Sequence, residues 1–479
     1  MTYVGATPTT GDFKKLDSIT TSSATTFNLR QGGVAVYPQS ANHCIVSLNG
    51  VIQAPIDAFT IVNDTIVFAS SLASSDVINF ILVLGNVNDI GTPSDDTVST
   101  AKLQANAVTS AKIASGVIPT KRPNANPLII NGNMAVAQRG TSFSHADSNN
   151  DAYPVDRFSF VLGSIGAYTS TQETLSSGAA YDAGFRKAAR IDCTTAQSSP
   201  AAGDYFWFQY KMEAQDCLLF KKGTSSAEKM TVAFWVKSNK TGTSQLTVKD
   251  GDNDRICAGT YAISSADTWE HKVINIAADT TGAFNNDNGA GFIFEWWLGA
   301  GSTYSSGAAP TAWEARADGD RGVSNLSIND NTANDWAITG IQVEVGEYTS
   351  STIPPFQHES YGDNLARCQR YYYKIGGAYK GLCIAWTPSS TEVATELNFP
   401  VTMRSTPSVT VDASNFEFRR SNNSVYTLTD DTPAMTFVTP EGGSMWFTEG
   451  SVGNSSGTNV GVVRSISSAN DHFKFSSEL

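Results

Sequence analysis

Residues 338–376 read ITGIQVEVGEYTSSTIPPFQHESYGDNLARCQRYYYKIG. The segment ITGIQVEV alternates with period two, as a half-buried strand does. Extended back to Trp336, that alternation puts Ala337, Thr339, Ile341, Val343 and Val345 on one face. Ile338, Gly340, Gln342 and Glu344 fall on the other. Pro354 and Pro355 end the strand, because proline has no N–H to give to a ladder. Tyr361, Leu365, Cys368 and Tyr372 then recur at i, i+4, i+7 and i+11, which predicts an amphipathic helix within 358–376. The run Tyr371–Tyr373 offers large, stiff surface. It suits packing between domains or between chains, or stacking against a sugar ring.

Both sides of this junction read as β structure. Residues 125–357 contain MTVAFWVKS, TSQLTVKD, WEHKVINIA, GFIFEWWLG and WAITGIQVEV, separated by turn-rich loops such as DGDND and NNDNGAG. Two antiparallel sheets packed face to face, a jelly roll, satisfy that pattern. Residues 377–479 contain GLCIAWT, TELNFPV, PSVTVDA, FEFRR, AMTFVT and SMWFTEG, a second and smaller β-sandwich. Residues 1–88 form an N-terminal β-sandwich with hairpin signals at NGV and VNDT. The run from Val77 to Leu84 is almost continuously apolar and predicts a strand buried on both faces.

Residues 89–124 differ. After Gly91, Thr92 and Pro93, AKLQANAVTS is followed ten residues later by AKIASGVIPT. The large apolar residues Val98, Leu103, Val108, Ile113 and Ile118 are spaced by five, which matches neither helix nor strand. So thin a stretch cannot bury five such residues alone. Self-association about an axis, each chain giving one residue per layer, predicts a thin helical and extended trimerising neck. A flexible linker is the competing reading, and regular apolar spacing speaks against it.

Composition narrows the function. A chain of 479 residues suggests about three domains. Its 16% charged residues and many Ser, Thr, Asn and Gly fit a mostly β protein with a polar surface. A net charge of −13 leaves no basic footprint for nucleic acid. The sequence has no apolar run of about 18 residues, so no membrane insertion is expected. MTYVGATPTTGDF lacks the basic and apolar regions of a signal peptide. Cys44, Cys193, Cys217, Cys257, Cys368 and Cys383 show no CxxC spacing, and they read as buried free thiols.

The order ITGIQVEVG, then PPF, then an acidic helix ending RCQRYYYK, then FPVTMRSTPSVTV (399–411) resembles bacteriophage tail fibre proteins. AKLQANAVTSAKI is similar to repeats that join their virion-anchoring and receptor-binding parts. LNGVIQ is similar to the proximal module of fibres from some short-tailed phages. The resemblance implies a fibrous homotrimer assembled in the host cytoplasm and resident in the virion. Residues 1–88 would attach to a tail tube, adaptor or nozzle protein and 89–124 would trimerise. Residues 125–357 would form the jelly roll, 358–376 a linking helix, and 377–479 the distal receptor-binding domain. The partner implied is host surface polysaccharide or lipopolysaccharide. FWVKSNKTG, the Trp269 strand and WAITGIQVEVG also resemble carbohydrate-binding modules.

Such modules stack aromatic rings on sugars and fix hydroxyls with short polar groups. The candidates are Trp269, Trp296, Trp297 and Trp313, near Asn285, Asn286 and Asp287. Trp296 and Trp297 are adjacent in a strand, so they point to opposite faces and at least one belongs to a core, as does Trp235. In the distal domain Tyr426 and Trp446 are candidates, with the turns at 421–431 and 450–460. Trp446 lies between Met445 and Phe447, so a core position is its competing reading. Loops are expected to carry adhesion.

Asp250, Asp252 and Asp254 have the spacing of a calcium loop, but Arg255 and Tyr261 occupy its sixth and twelfth positions, which excludes an EF-hand. A surface hairpin without metal is expected there, and no cofactor elsewhere. The five histidines are scattered, no GxSxG occurs, and Glu295, Glu344 and Glu347 are merely available carboxylates. No enzyme is expected. The alternative is a glycan-degrading tailspike, against which the absence of parallel β-helix repeats counts.

Overall fold

The computed structural model describes residues 13–84, 126–146, 152–377, 381–411, 416–429, 433–449, 451–452, 459–466 and 472–479. The chain divides into two compact units, Met1–Ile118 and Pro119–Leu479. Val98, Leu103, Val108, Ile113 and Ile118 of the expected neck lie outside the described residues.

In the first unit a four-stranded antiparallel sheet and a three-stranded sheet share a core of Val46, Phe59, Ile66, Ile81 and their neighbours. Both hairpin signals form. Asn49 and Gly50 take positive φ between Cys44–Leu48 and Val51–Ile52, and Asn63 does so between Phe59–Val62 and Thr65–Phe68. The strand Ile78–Val83 departs from expectation. Ile78, Ile81 and Val83 are buried, whereas Val77 and Phe80 are exposed. A unit of this size has one core, so only one face of that apolar strand can be covered.

The second unit contains the larger sandwich. Six strands (Ser142–Ala146, Ala167–Thr174, Lys187–Thr195, Asp335–Val345, Met230–Lys237, Glu270–Ile276) form one sheet in that spatial order. Seven form the other: Ala152–Val155, Phe158–Gly163, Tyr205–Glu213, Ala290–Ala300, Gly242–Asp250, Arg255–Ile263 and Glu314–Ala315. The named strand pairs in both sheets are antiparallel. Aromatic contacts tie the layers together: Trp336 meets Phe208 at 5.6 Å and Trp296 meets Phe234 at 5.8 Å, ring to ring.

In Asp335–Val345 the expected alternation slips by one residue. Trp336 and Ile338 face the same core as Ile341 and Val343, while Ala337 faces the opposite side. A bulge marks the slip: Ala233 pairs with Gln342 and Trp235 with Thr339, so Gly340 and Ile341 together oppose Phe234 of the neighbouring strand. Gly340 supports it with φ +63, and a Cβ there would stand 2.6 Å from the Phe185 ring. Ile341 N–H donates to Gly132 O at 3.0 Å.

The junction also differs from the sequence reading of a single helix in 358–376. The helix covers Tyr361–Gln369, capped by Ser360 Oγ, which accepts from Asp363 N–H. Cys368 is buried and Leu365 packs beside it, but Tyr361 is exposed. Tyr372–Gly376 is a strand, paired with His472–Ser476 in a three-stranded sheet completed by Ser408–Val411.

The tyrosines thereby close a seam between the two sandwiches. Tyr371 donates its hydroxyl to Glu213 Oε1 at 2.5 Å, and Arg370 donates to both oxygens of the same carboxylate. Arg157 lies 3.4 Å above the Tyr371 ring and pairs with Glu478; Arg139 lies 3.7 Å above Tyr372 and also reaches Glu478. Tyr373 turns the other way and stacks on Phe475.

The distal sandwich faces this three-stranded sheet with a seven-stranded one. Its order is Val425–Thr427, Phe416–Arg420, Val460–Ser465, Gly381–Trp386, Glu392–Asn398, Gly442–Thr448, Ala434–Thr439. Val393, Phe416, Phe418, Met445, Phe447, Val463, Phe473 and Phe475 fill its own core. Of the six cysteines, all free, five are buried and Cys383 is half-buried.

Candidate functional site

The structure sorts the aromatic candidates by what covers them. Trp296 is fully buried in the main core, and this corrects its candidacy: an indole enclosed by Phe208, Phe234 and Phe294 has no face for a sugar. Trp297 points outward from the same strand, as adjacency requires, yet it too is fully buried. Trp207, Tyr304 and the Arg321 guanidinium close over it, and Arg321 is anchored by two hydrogen bonds to Glu295.

Trp269 is only 8% exposed. It packs with Phe185, Ala188 and the turn at Ala179–Asp182 on the outer face of the six-stranded sheet, where Trp235 also lies half-buried instead of in the main core. Trp313 keeps part of its surface open, but its ring lies against Phe292 and its N–H donates to Ala277 O at 2.7 Å. Tyr426 sits in register with Phe418 on the core side, under the Arg420 guanidinium. These rings hold the fold together.

The aspartate triplet resolves as a hairpin. Asp250 is buried against Lys222 Nζ at 2.5 Å and accepts from Asp252 N–H and Asn253 N–H. Asp252 accepts from Asn285, and Asp254 pairs with Arg316. No group of acids, histidines and cysteines among the described residues is arranged to hold a metal ion. The carboxylates weighed for catalysis are likewise engaged: Glu295 with Arg321 and Glu347 with Lys229.

Trp446 is different. Met445 and Phe447 point into the distal core, so strand alternation turns Trp446 to the outer face, where it is half-buried. Register places Ala394 opposite it, and Trp386 opposite Ala394 on the next strand. Ala394 lies on this outer face and is nonetheless 0% exposed. Register thus sets one indole on either side of Ala394, and the Nε1 of Trp446 is buried without a hydrogen-bond partner among the described residues. The two strands that carry them are two spacings apart, about 10 Å.

Around them the face stays open. Ile384, Val460 and Val462 are 72%, 54% and 38% exposed: Ile384 precedes Trp386 by two residues on its own strand, and Val462 and Val460 stand opposite Ile384 and Trp386 on the next. Glu392 and Glu396 occupy the same face at positions −2 and +2 from Ala394, opposite Thr448 and Ser444. Half-exposed indoles with carboxylates and hydroxyls at their edges are the components of a sugar-stacking surface.

Trp386 escaped the sequence reading. In GLCIAWT both strand faces are apolar, so the pattern does not say which is covered. The two turns expected to bear adhesion are described only in part, since 430–431, 450 and 453–458 lie outside the described residues. Ser421–Ser424 form the tight connection of a hairpin, with Arg419 donating to Asn423.

No protein-family model matches the chain, and no curated protein matches it. Among solved structures it is similar to the enzymatically active domain of tailspike protein 4 from bacteriophage CBA120. That likeness has 9% identity and TM-score 0.23, and covers 46% of this chain and 21% of that one. It is similar to a putative sugar binding protein from Bacteroides thetaiotaomicron, with 13% identity, TM-score 0.23, and coverage of 46% and 100%. A family 11 carbohydrate-binding module from Clostridium thermocellum follows, with 7% identity, TM-score 0.20, and coverage of 43% and 96%. At TM-scores this low the likenesses establish neither fold nor function.

Proposed function

We propose that the chain is the subunit of a phage tail fibre and adheres to host surface glycan through the outer face of its distal seven-stranded sheet. The observation that carries the reading is the pair Trp386 and Trp446, half-buried and in register on either side of Ala394, with Ile384, Val460 and Val462 exposed on the same sheet face. The order of motifs from 336 to 411 supports the phage assignment. In this reading residues 1–88 dock to the tail, 89–124 hold three copies together, and the protein acts in the virion. Binding is non-enzymatic, and many weak sites per particle add up by multivalency.

The test is adsorption of labelled full-length protein to host cells, with Trp386→Ala and Trp446→Ala as variants. Each should lower cell binding by about fivefold or more, in line with about 1–3 kcal/mol for loss of a stacking ring, while the fold persists. Unchanged adsorption in both variants would remove this face as the adhesive surface. Incubation with purified host envelope polysaccharide should release no oligosaccharide; release would replace the adhesin with a depolymerase.

A further inference from the structure

We infer that the indole pair selects glycans bearing free amino groups; the inference rests on the adhesive reading of this face. Ala394 is the centre of a cross. Trp386 and Trp446 flank it across the sheet, and Glu392 and Glu396 flank it along its own strand. Neither glutamate has an ion-pair or hydrogen-bond partner through its side chain among the described residues. Two other acids of the sandwich are committed, Glu417 to Arg464 and Glu449 to Thr429, whereas Glu441, in a turn, bonds only through its backbone among the described residues. Among the described residues the arginines of this face are committed as well, Arg464 to that glutamate and Arg419 to Asn423.

Two open carboxylates beside two indole faces present one kind of chemistry. An ammonium group over an indole is drawn to the negative face of the ring, and an adjacent carboxylate adds a charge-assisted hydrogen bond. A sugar amine stacked on either ring has a glutamate within the spacing of neighbouring side chains. An N-acetylated sugar keeps the stacking and loses the charge. An anionic polysaccharide meets two unpaired carboxylates on a chain of net charge −13 and is repelled.

The experiment is calorimetric titration of the full-length protein with a tetramer of β-1,4-linked glucosamine and with its fully N-acetylated counterpart, at low and high salt. The amino tetramer should bind about tenfold tighter at low salt, and the advantage should shrink as salt screens it. The double variant Glu392→Gln and Glu396→Gln should keep a cooperative melt and lose the preference. Equal affinity for the two tetramers, preference for the acetylated one, binding of neither, or a preference that survives the double variant would each overturn the inference. If Trp386→Ala and Trp446→Ala still abolish cell adsorption in that event, the adhesive reading stands without the amine preference. If those variants leave adsorption intact, the adhesive reading itself is what failed.

Discussion

The Pro119–Leu479 unit contains two seven-stranded antiparallel sheets, and each carries tryptophans on its outer face. In the larger sandwich Trp207 and Trp297 are closed over by Tyr304 and by Arg321, itself pinned to the buried Glu295. In the distal sandwich no aromatic ring or arginine closes over Trp386 or Trp446 among the described residues, and Ile384, Val460 and Val462 on the same face stay exposed. Residue type is the same on both faces. What differs is a stretch of chain, residues 301–325, that folds back over one sheet. An outward tryptophan becomes structure or recognition surface according to whether its own chain returns to cover it.

That contrast is most directly broken at the covered face. Arg321→Ala leaves Glu295, 2% exposed, buried without its cation, and removing one partner of a buried pair costs about 3–5 kcal/mol. Trp297→Ala opens a cavity of similar cost, about 3–5 kcal/mol. Denaturant titration should show both losses, with cell binding per folded molecule unchanged. A small effect would mean that the cover is dispensable and the two faces are alike.

The seam comes next. Glu213 is 1% exposed and takes three hydrogen bonds from Arg370 and Tyr371. Burial pushes its carboxyl up, but the bonds from Arg370 and Tyr371 outweigh it and hold the group below the usual carboxylate range. A depressed carboxylate contributes stability above its unfolded pKa, and that stability is lost as pH falls through the folded value. Glu213→Gln should therefore cost about 3 kcal/mol at neutral pH and flatten the acid limb of a melting-temperature profile. With the seam weakened, the two sandwiches should melt in separate steps. An acid limb as steep as that of the parent protein would assign the acid sensitivity elsewhere.

How much of this was legible in the sequence depends on which force decides each feature. Most strands were, because alternation is a local consequence of burying one face. The slip at Gly340 was not, since it depends on the neighbouring strand and on Phe185 approaching the backbone. Tyr372 continues the helical spacing of Tyr361, Leu365 and Cys368, yet pairing with His472–Ser476, a hundred residues on, takes it into a strand. Trp446 was a candidate in the sequence, but its neighbours Met445 and Phe447 read there as the argument for a core position, because the pattern does not say which face of that strand is covered. Trp386 was missed because coverage of a sheet face is a tertiary fact.

A smaller effect tests the slip itself. Gly340→Ala places a Cβ 2.6 Å from the Phe185 ring and forces an L-residue to φ +63. Left-handed backbone alone costs about 1–2 kcal/mol, so the melt should drop by at least that much. Adding Phe185→Leu should recover the steric part only. Full tolerance of Gly340→Ala would mean that the strand can run without the slip.

The smallest effect belongs to the open face, and it sharpens the contrast most. Trp386 and Trp446 are half-buried and stand in register on either side of Ala394. Replacing either by alanine removes a half-buried ring and enlarges no enclosed core. At about 25 cal/mol per Å² of apolar surface, the partial burial of one ring supports a loss of only about 1 kcal/mol. The same substitution, Trp to Ala on the outer face of a seven-stranded sheet, should thus cost several times less at 386 or 446 than at 297. Adsorption should follow the reverse order, falling for the two distal variants and not for the proximal one. If Trp446→Ala destabilises as strongly as Trp297→Ala, its indole belongs to a closed layer and the distal face is structural as well.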